Sequence, residues 1–444
     1  MDNQSSPLEN LKRWPDAGLT GLNKEIANCI YQNVPIYYPL NKVIDNKWFQ
    51  RLDKIKLLGV VHLVYPTANH SLFDAAIGRY HQAIMFLNHQ QVTVDVDRNI
   101  YSLAVCLAAL CLDLGSPPYD FVEFKTIDDS FYRKKILKRS AEIFEKFIFP
   151  ELFEDLKDLK PFYLNDPDEI LLLTKKLIRC SAVTESEYAS ERHKFFFQLF
   201  GGFGFPITLD RLARLLLNSE FTDVGIETNQ RYVYNFLCES NSELRDNRIV
   251  FASKSPILKV VRSEETLAGT VLHHKAVGGF QLKLFRAFEL YENLKGDLGE
   301  VDLDELFLFT DSFYRRVIGS ARVNSELEEV AFLFKEVFEE RQKYRTVSFG
   351  SHGEKGPLVR EKGPKGFDAE QITQQIEKYS KGRLKRGDFY VKVFETIPSD
   401  LQNAEIPFLQ RRHQVGTELD QYLLIYDCSR KGSSLKEVVA RLSF

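Results

Sequence analysis

The residues that could do chemistry in this chain are few. The stretch "AALCLDLGSPPYDF" (108–121) runs as a helix into a tight turn and places a carboxylate, Asp113, at the bend. Four histidines, His62, His70, His81 and His89, lie upstream. Imidazole and carboxylate are the usual ligands of catalytic divalent ions, so His70, His81 and Asp113 form one conceivable metal site. The competing reading gives the histidines local hydrogen bonds on amphipathic helices. In it Asp113 caps its own turn before Gly115 by accepting backbone N–H bonds.

Three other constellations carry weaker signals. His273 and His274 beside Lys275 suit a phosphate, or else are exposed polar residues at a helix start. "FGGFGF" (200–205) is glycine-rich but is neither a dinucleotide fingerprint nor followed by Lys-Ser/Thr, so a close backbone crossing or a flexible turn is the better reading. "KGRLKRGD" (381–388) brings together Lys381, Arg383, Lys385 and Arg386, with Lys355, Arg360, Lys362 and Lys365 upstream. This basic segment suits the phosphates of a nucleotide or nucleic acid, or is a solvated loop. No G-x-S-x-G nucleophile motif is present.

The whole chain offers no charge-driven attraction to nucleic acid or membrane: its 444 residues carry a formal net charge of -3. The 35 Phe and 19 Tyr supply a sizeable aromatic core. Six cysteines (Cys29, Cys106, Cys111, Cys180, Cys238, Cys428) form no CxxC and read as reduced thiols of a cytoplasmic protein. No signal peptide and no membrane-spanning run are legible.

The elements that must position these residues are mainly helical. Residues 1–22 read as a polar arm and 23–348 as a helical core. In it 46–64 has Phe49, Leu52, Ile55 and Leu58 at helical spacing, and Ser71 caps a helix over 71–90. The run 99–112 is apolar on every side and predicts a buried central helix. Asp166 and Thr208 are further caps. "RIVFA" and "ILKVV" within 247–265 predict a small β-hairpin split by a Ser/Pro turn. A Gly/Pro/Lys linker covers 349–367, and 368–444 reads as a small α+β module.

The stretch 48–83 resembles the HD-domain dNTP triphosphohydrolases, of the dGTPase-like and SAM-and-HD-domain branch. Phe49-Gln50-Arg51-Leu52, Ile55, Leu58-Gly59, Val64-Tyr65-Pro66, Ala68, His70, Phe73 and Gly78 carry the likeness without a gap. "CLDLGSPPYDF", "ITLDRLARLLLNSEFTDVGI", "VLHHKAVGGFQLKLFRAFEL" and "LFLFTDSFYRRVI" extend it over about residues 24 to 345. The resemblance implies an HD-type helical core, a divalent metal cofactor, nucleotide substrates and assembly into oligomers.

Carried across residue by residue, the resemblance puts the metal-ligand positions at Ala75, Leu112, Asp113 and Ala213, of which only Asp113 can donate. The turn histidines fall on Ser116 and Phe121, the phosphate-contacting arginine on Leu72, and a further aspartate on Asn218. Alanine and leucine cannot hold a hard ion or activate its water. The expectation is therefore a non-catalytic homologue with vestigial metal positions and no cofactor. It would act by binding a nucleotide or protein partner and associate with itself. His70, His81, Lys381, Arg383, Lys385 and Arg386 are its candidate ligand-binding residues. Two alternatives stay open: an active phosphohydrolase with a rearranged metal site, and a nucleic-acid-binding protein using 355–386.

Overall fold

The computed structural model describes residues 22–89, 96–119, 129–158, 167–188, 190–191, 193–205, 207–238, 242–245, 248–251, 255–272, 274–296, 302–343, 345–347, 358–360, 369–380, 389–396 and 420–427. They belong to a mainly α chain of two compact units. One comprises 1–267 with 295–316, the other 268–294 with 317–444.

The first unit opens on strand rather than helix. β1 (Leu22–Asn28) pairs antiparallel with β2 (Gln32–Tyr37). The Asn28 side chain accepts the N–H groups of Ile30 and Tyr31 at 2.9 and 3.2 Å, and Gln32 takes a positive φ of 60°. That Asx turn closes the hairpin, and Val34 and Ile36 alternate onto one buried face. The expectation of helix from residue 23 is corrected accordingly.

α1 (Leu40–Asp45) and α2 (Lys47–Arg51) follow, the latter capped by Asn46, which accepts Trp48 N–H at 2.9 Å. The helix expected over 46–64 does not continue. Ile55 is extended and Gly59 has φ 52°. Ile55 and Leu57 instead exchange backbone hydrogen bonds with Leu72 and His70, at 2.9 and 3.0 Å. A tertiary backbone partner outcompetes the local helical pattern.

α3 (Leu72–His89) starts on a reciprocal cap. Asp74 N–H donates to Ser71 Oγ at 3.3 Å, and Ser71 N–H donates to the Asp74 carboxylate at 2.8 Å. α4 (Val96–Cys111) is the central helix, buried at every position from Ser102 to Cys111. Around it come α5 (Asp129–Ile143), a wide π-turn (Phe144–Ile148), α6 (Phe149–Asp158) and α7 (Pro167–Arg179). The short α8 (Lys194–Gln198) leads to α9 (Leu209–Thr222), where Thr208 accepts Arg211 N–H at 3.1 Å as expected of a cap. α3 packs against α4 and α9. Asp166 lies outside the described residues.

α10 (Gln230–Cys238) precedes the second hairpin. "RIVF" does form a strand, but β4 (Arg248–Phe251) pairs with β3 (Ser242–Arg245). "ILKVV" belongs to α11 (Ser255–Leu267), which corrects its expected strand. Pro256 is tolerated in the first helical turn, and Ile257, Val260 and Val261 bury one helical face.

In the second unit, α12 (Lys275–Lys295) and α15 (Glu328–Phe338) share the Phe288–Phe334 ring contact and the Lys283–Glu336 ion pair at 3.1 Å. The short α13 (Leu303–Leu308) lies in the first unit, and α14 (Phe313–Ser320) crosses the division. β8 (Asp420–Asp427) pairs antiparallel along its whole length with β7 (Phe389–Thr396). At its two ends it pairs with β5 (Arg345–Val347) and β6 (Leu358–Arg360). α16 (Ala369–Tyr379) packs against β7. Helix, "FYVKVFE" strand and "QYLLIYD" strand stand where the sequence places them. No helix among the described residues is long and apolar enough to cross a membrane.

Candidate functional site

Asp113 sits in the turn that ends α4 and is completely buried. The turn is fixed by Ser116 N–H donating to the Asp113 carbonyl at 2.9 Å and by close packing on α5. A Cβ on Gly115 would lie 2.5 Å from the Ile136 carbonyl oxygen and 2.7 Å from Arg139 Cβ. Ser140 clips the same turn, accepting Gly115 N–H at 2.9 Å and donating to the Leu112 carbonyl at 2.8 Å.

The Asp113 side chain does not cap this turn. Its Oδ2 accepts Arg79 Nη1 at 2.6 Å, and its Oδ1 accepts Arg214 Nη2 at 3.1 Å, with Arg133 Nη1 at 3.5 Å. The turn-cap reading is corrected: guanidinium partners reach the carboxylate, and a buried charge takes the strongest partner available. Asp210, on the first turn of α9, joins the same group. Its Oδ1 accepts Arg79 Nη1 at 2.5 Å and Arg214 Nε at 3.0 Å, and its Oδ2 accepts Arg133 Nη2 at 3.1 Å. Arg79 Nε donates to the Ala109 carbonyl at 3.0 Å. Three arginines from α3, α5 and α9 thus enclose two carboxylates.

The electrostatics follow from that enclosure. Burial works to raise the Asp113 carboxyl, but Arg79, then Arg214, overrides it and holds the group below the usual carboxylate range. Asp210 is held well below that range by Arg214, Arg79 and Arg133, again against burial. Arg79 is fully buried, whereas Arg133 keeps 29% of its side-chain area exposed and Asp210 and Arg214 keep 16% each, so the cluster meets solvent on that side.

Of the vestigial metal positions, Ala75, Leu112 and Ala213 are buried and carry no donor, and Leu72, at the phosphate-contact position, is buried too. α3 and α9 cross tightly there: a Cβ on Gly78 would stand 3.4 Å from Ala213 Cβ and 3.2 Å from the Tyr31 ring. The residues present therefore do not fit a divalent metal. Three of the four positions are apolar, and the fourth, Asp113, is neutralised by guanidinium groups.

His70 and His81 do not join Asp113 in a metal site. His70 Nε2 bonds Asn218 Oδ1 at 2.8 Å, and its ring stacks on Phe221 at 4.6 Å. His81 packs on Tyr31 at 4.4 Å, and burial lowers its pKa to about 4. Both are buried, desolvation lowers both, and each has core partners rather than a metal. Among the described residues no three His, Cys, Asp or Glu side chains converge to hold a metal ion. His62 Nδ1 bonds the Gly59 carbonyl locally at 2.8 Å.

His274 Nδ1 accepts Ala276 N–H at 3.3 Å, which makes it a cap for α12. "FGGFGF" forms a tight turn in which Gly202 folds back on Phe197. Gly201 and Gly204 take positive φ of 90° and 64°, and a Cβ on Gly202 would lie 3.0 Å from Phe197. His273, Phe121, Lys355, Lys362, Lys365, Lys381, Arg383, Lys385 and Arg386 lie outside the described residues, as does the His89 side chain.

A second buried arrangement braces the Asp113 turn. Arg51 donates to the carbonyls of Leu114, Ser116 and Phe309 at 3.3, 2.8 and 2.6 Å, and burial lowers its pKa to about 9. Asp311 accepts Tyr119 N–H at 2.7 Å and Lys56 N–H at 2.8 Å. Burial pushes its carboxyl up to about 7 despite those bonds.

Sequence reasoning missed Arg79, Arg133, Asp210 and Arg214. A signal existed for Arg79: it is the lone cation inside the apolar helical stretch "AAIGRYHQAIMF", and a buried arginine needs an anion. Asp210 and Arg214 stand four apart on one helix, the spacing of an ion pair.

No family model matches the chain. It is similar to the Gallus gallus deoxynucleoside triphosphate triphosphohydrolase SAMHD1, 23% identical over 354 residues, or 72% of this chain and 55% of that protein. It is likewise 23% identical over 321 residues to the Dictyostelium discoideum deoxynucleoside triphosphate triphosphohydrolase SAMHD1 homolog, 71% of this chain and 58% of that protein. A 129-residue segment is 30% identical to the uncharacterized protein MJ1154 of Methanocaldococcus jannaschii, covering 28% of this chain and 26% of the other. The chain spans little more than half the length of the two SAMHD1 relatives it is similar to.

Proposed function

We propose that the chain is a non-catalytic homologue of the dNTP triphosphohydrolases, acting by nucleotide or protein binding as a regulatory or scaffold subunit. The observation that carries the reading is the state of Asp113, the one remaining donor among the four vestigial positions. Its two oxygens are taken by Arg79 and Arg214. Hydrolysis of a phosphoanhydride in this type of site asks for a cation that binds and acidifies water. A guanidinium has no open coordination position and releases no proton near neutral pH, so it cannot take that role.

Self-association and a cytoplasmic location belong to the same proposal, together with partners drawn from nucleotides or proteins. Thermal unfolding with dNTPs and NTPs, in EDTA and then with Mn²⁺ or Mg²⁺, tests the binding half. A ligand at one hundred times its Kd adds about 2.7 kcal/mol and raises the melting temperature. No shift with any nucleotide, and a monomer at every concentration, would leave protein capture as the sole form of the proposal. Release of triphosphate by the purified chain would end it.

A further inference from the structure

We propose that Arg79 is a built-in cation, occupying the position between Asp113 and Asp210 that a bridging divalent ion would otherwise take. The proposal deepens the reading of a non-catalytic site but stands on different observations. Carboxylate oxygens from separate elements converge on the single nitrogen Nη1, at 2.6 Å from Asp113 Oδ2 and 2.5 Å from Asp210 Oδ1. The convergence of both carboxylates on one nitrogen puts the guanidinium at the point between them where a bridging cation would stand. Arg79 and Asp113 have no exposed side-chain area and Asp210 keeps only 16%, so water screens the two negative charges from each other poorly. Two carboxylates this close stay ionised only with a cation between them.

The consequence is a core independent of divalent ions. Arg79 is anchored on α3 and held by the Ala109 carbonyl on α4, so it is always present at full occupancy. Arg214 and Arg133 close the other sides of the carboxylates. A metal ion offered to the folded chain must displace a tethered guanidinium, at a cost that free ions in solution do not overcome. Converting Arg79 to a short neutral side chain leaves the two carboxylates only Arg214 and Arg133, both part-exposed, and should open a position between the carboxylates that an ion can take.

The test compares thermal unfolding of the full chain and three variants in EDTA, Mn²⁺ and Ca²⁺, with metal content measured after gel filtration. The native chain should melt at one temperature in all three and carry no stoichiometric metal. Arg79→Ala should melt lower in EDTA by about 5 °C or more and recover part of the loss in Mn²⁺ or Ca²⁺. Arg79→Lys, which keeps the charge, should fall less and show little response to metal. Arg79→Ala combined with Asp113→Asn and Asp210→Asn should show no response at all.

If Arg79→Ala is insoluble in EDTA, its refolding yield in Mn²⁺ or Ca²⁺ becomes the readout, and an increase is expected. A metal-dependent shift in the native chain overturns the proposal, as does an Arg79→Ala protein that no ion stabilises or refolds. Nucleotide hydrolysis plays no part in these readouts, so this proposal and the functional one fail separately.

Discussion

Arg79 Nη1 and Asp113 Oδ2 stand 2.6 Å apart, on two side chains with no solvent exposure. A pair in that position is expensive to break, because whichever partner remains is a buried charge that has lost one of its counter-ions. The surrounding Asp210, Arg214 and Arg133 turn the pair into a network, whose members act together rather than additively.

Asp113→Ala should therefore destabilise the chain by about 3–5 kcal/mol in urea unfolding. Arg79→Met with Asp113→Leu should cost much less than the sum of the two single changes, since no charge is left unpaired. Strict additivity in that double-mutant cycle would contradict the coupling.

His81 predicts a loss of stability in acid. Its folded pKa is depressed from 6.5 to about 4, so its contribution is present in full above pH 6.5 and disappears as pH falls through 4. The 2.5-unit difference corresponds to about 3 kcal/mol. His81→Phe should flatten the pH dependence of unfolding over that window. An unchanged slope would mean that the ring is solvated.

Asp311 predicts the opposite sign in an overlapping window. Its folded pKa is raised from 3.8 to about 7, so its contribution is greatest below pH 4 and is lost as pH climbs through 7. The two slopes partly cancel in the native chain, which makes single variants necessary. Asp311→Asn keeps one carbonyl acceptor for the Tyr119 or Lys56 N–H and should remove the decline toward pH 7.

Gly115 predicts a packing effect. An alanine there places its Cβ against backbone and Cβ atoms of α5 that have no flexible end to move. Gly115→Ala should cost about 2 kcal/mol or more in urea unfolding. A neutral result would show that α5 can shift away from the Asp113 turn.

Much of the fold was legible because it rests on local signals. The all-apolar run before Asp113 became the buried α4, and Ser71 and Thr208 became caps. The losses came where distant backbone decided the outcome. Ile55 and Leu57 look helical in sequence, yet pair with Leu72 and His70. "ILKVV" is β-branched, yet Pro256 and the Ile257/Val260/Val261 face make it helix.

For the site, residue identity at four positions suggested missing ligands, but nothing local disclosed what filled the space. Arg79, Arg133 and Arg214 lie far apart in the chain, and only their shared contacts with Asp113 and Asp210 make them one cluster. The carboxylate at 113 was visible as a lone survivor; its partners were visible only in three dimensions.

The most direct test of the functional account is triphosphate release from dNTPs by the purified chain, with Mn²⁺, Mg²⁺, Fe²⁺ or Co²⁺ supplied in turn. The account predicts no release above the buffer background with any of the four ions. Metal-dependent release that a folded Asp113→Asn variant abolishes would contradict it.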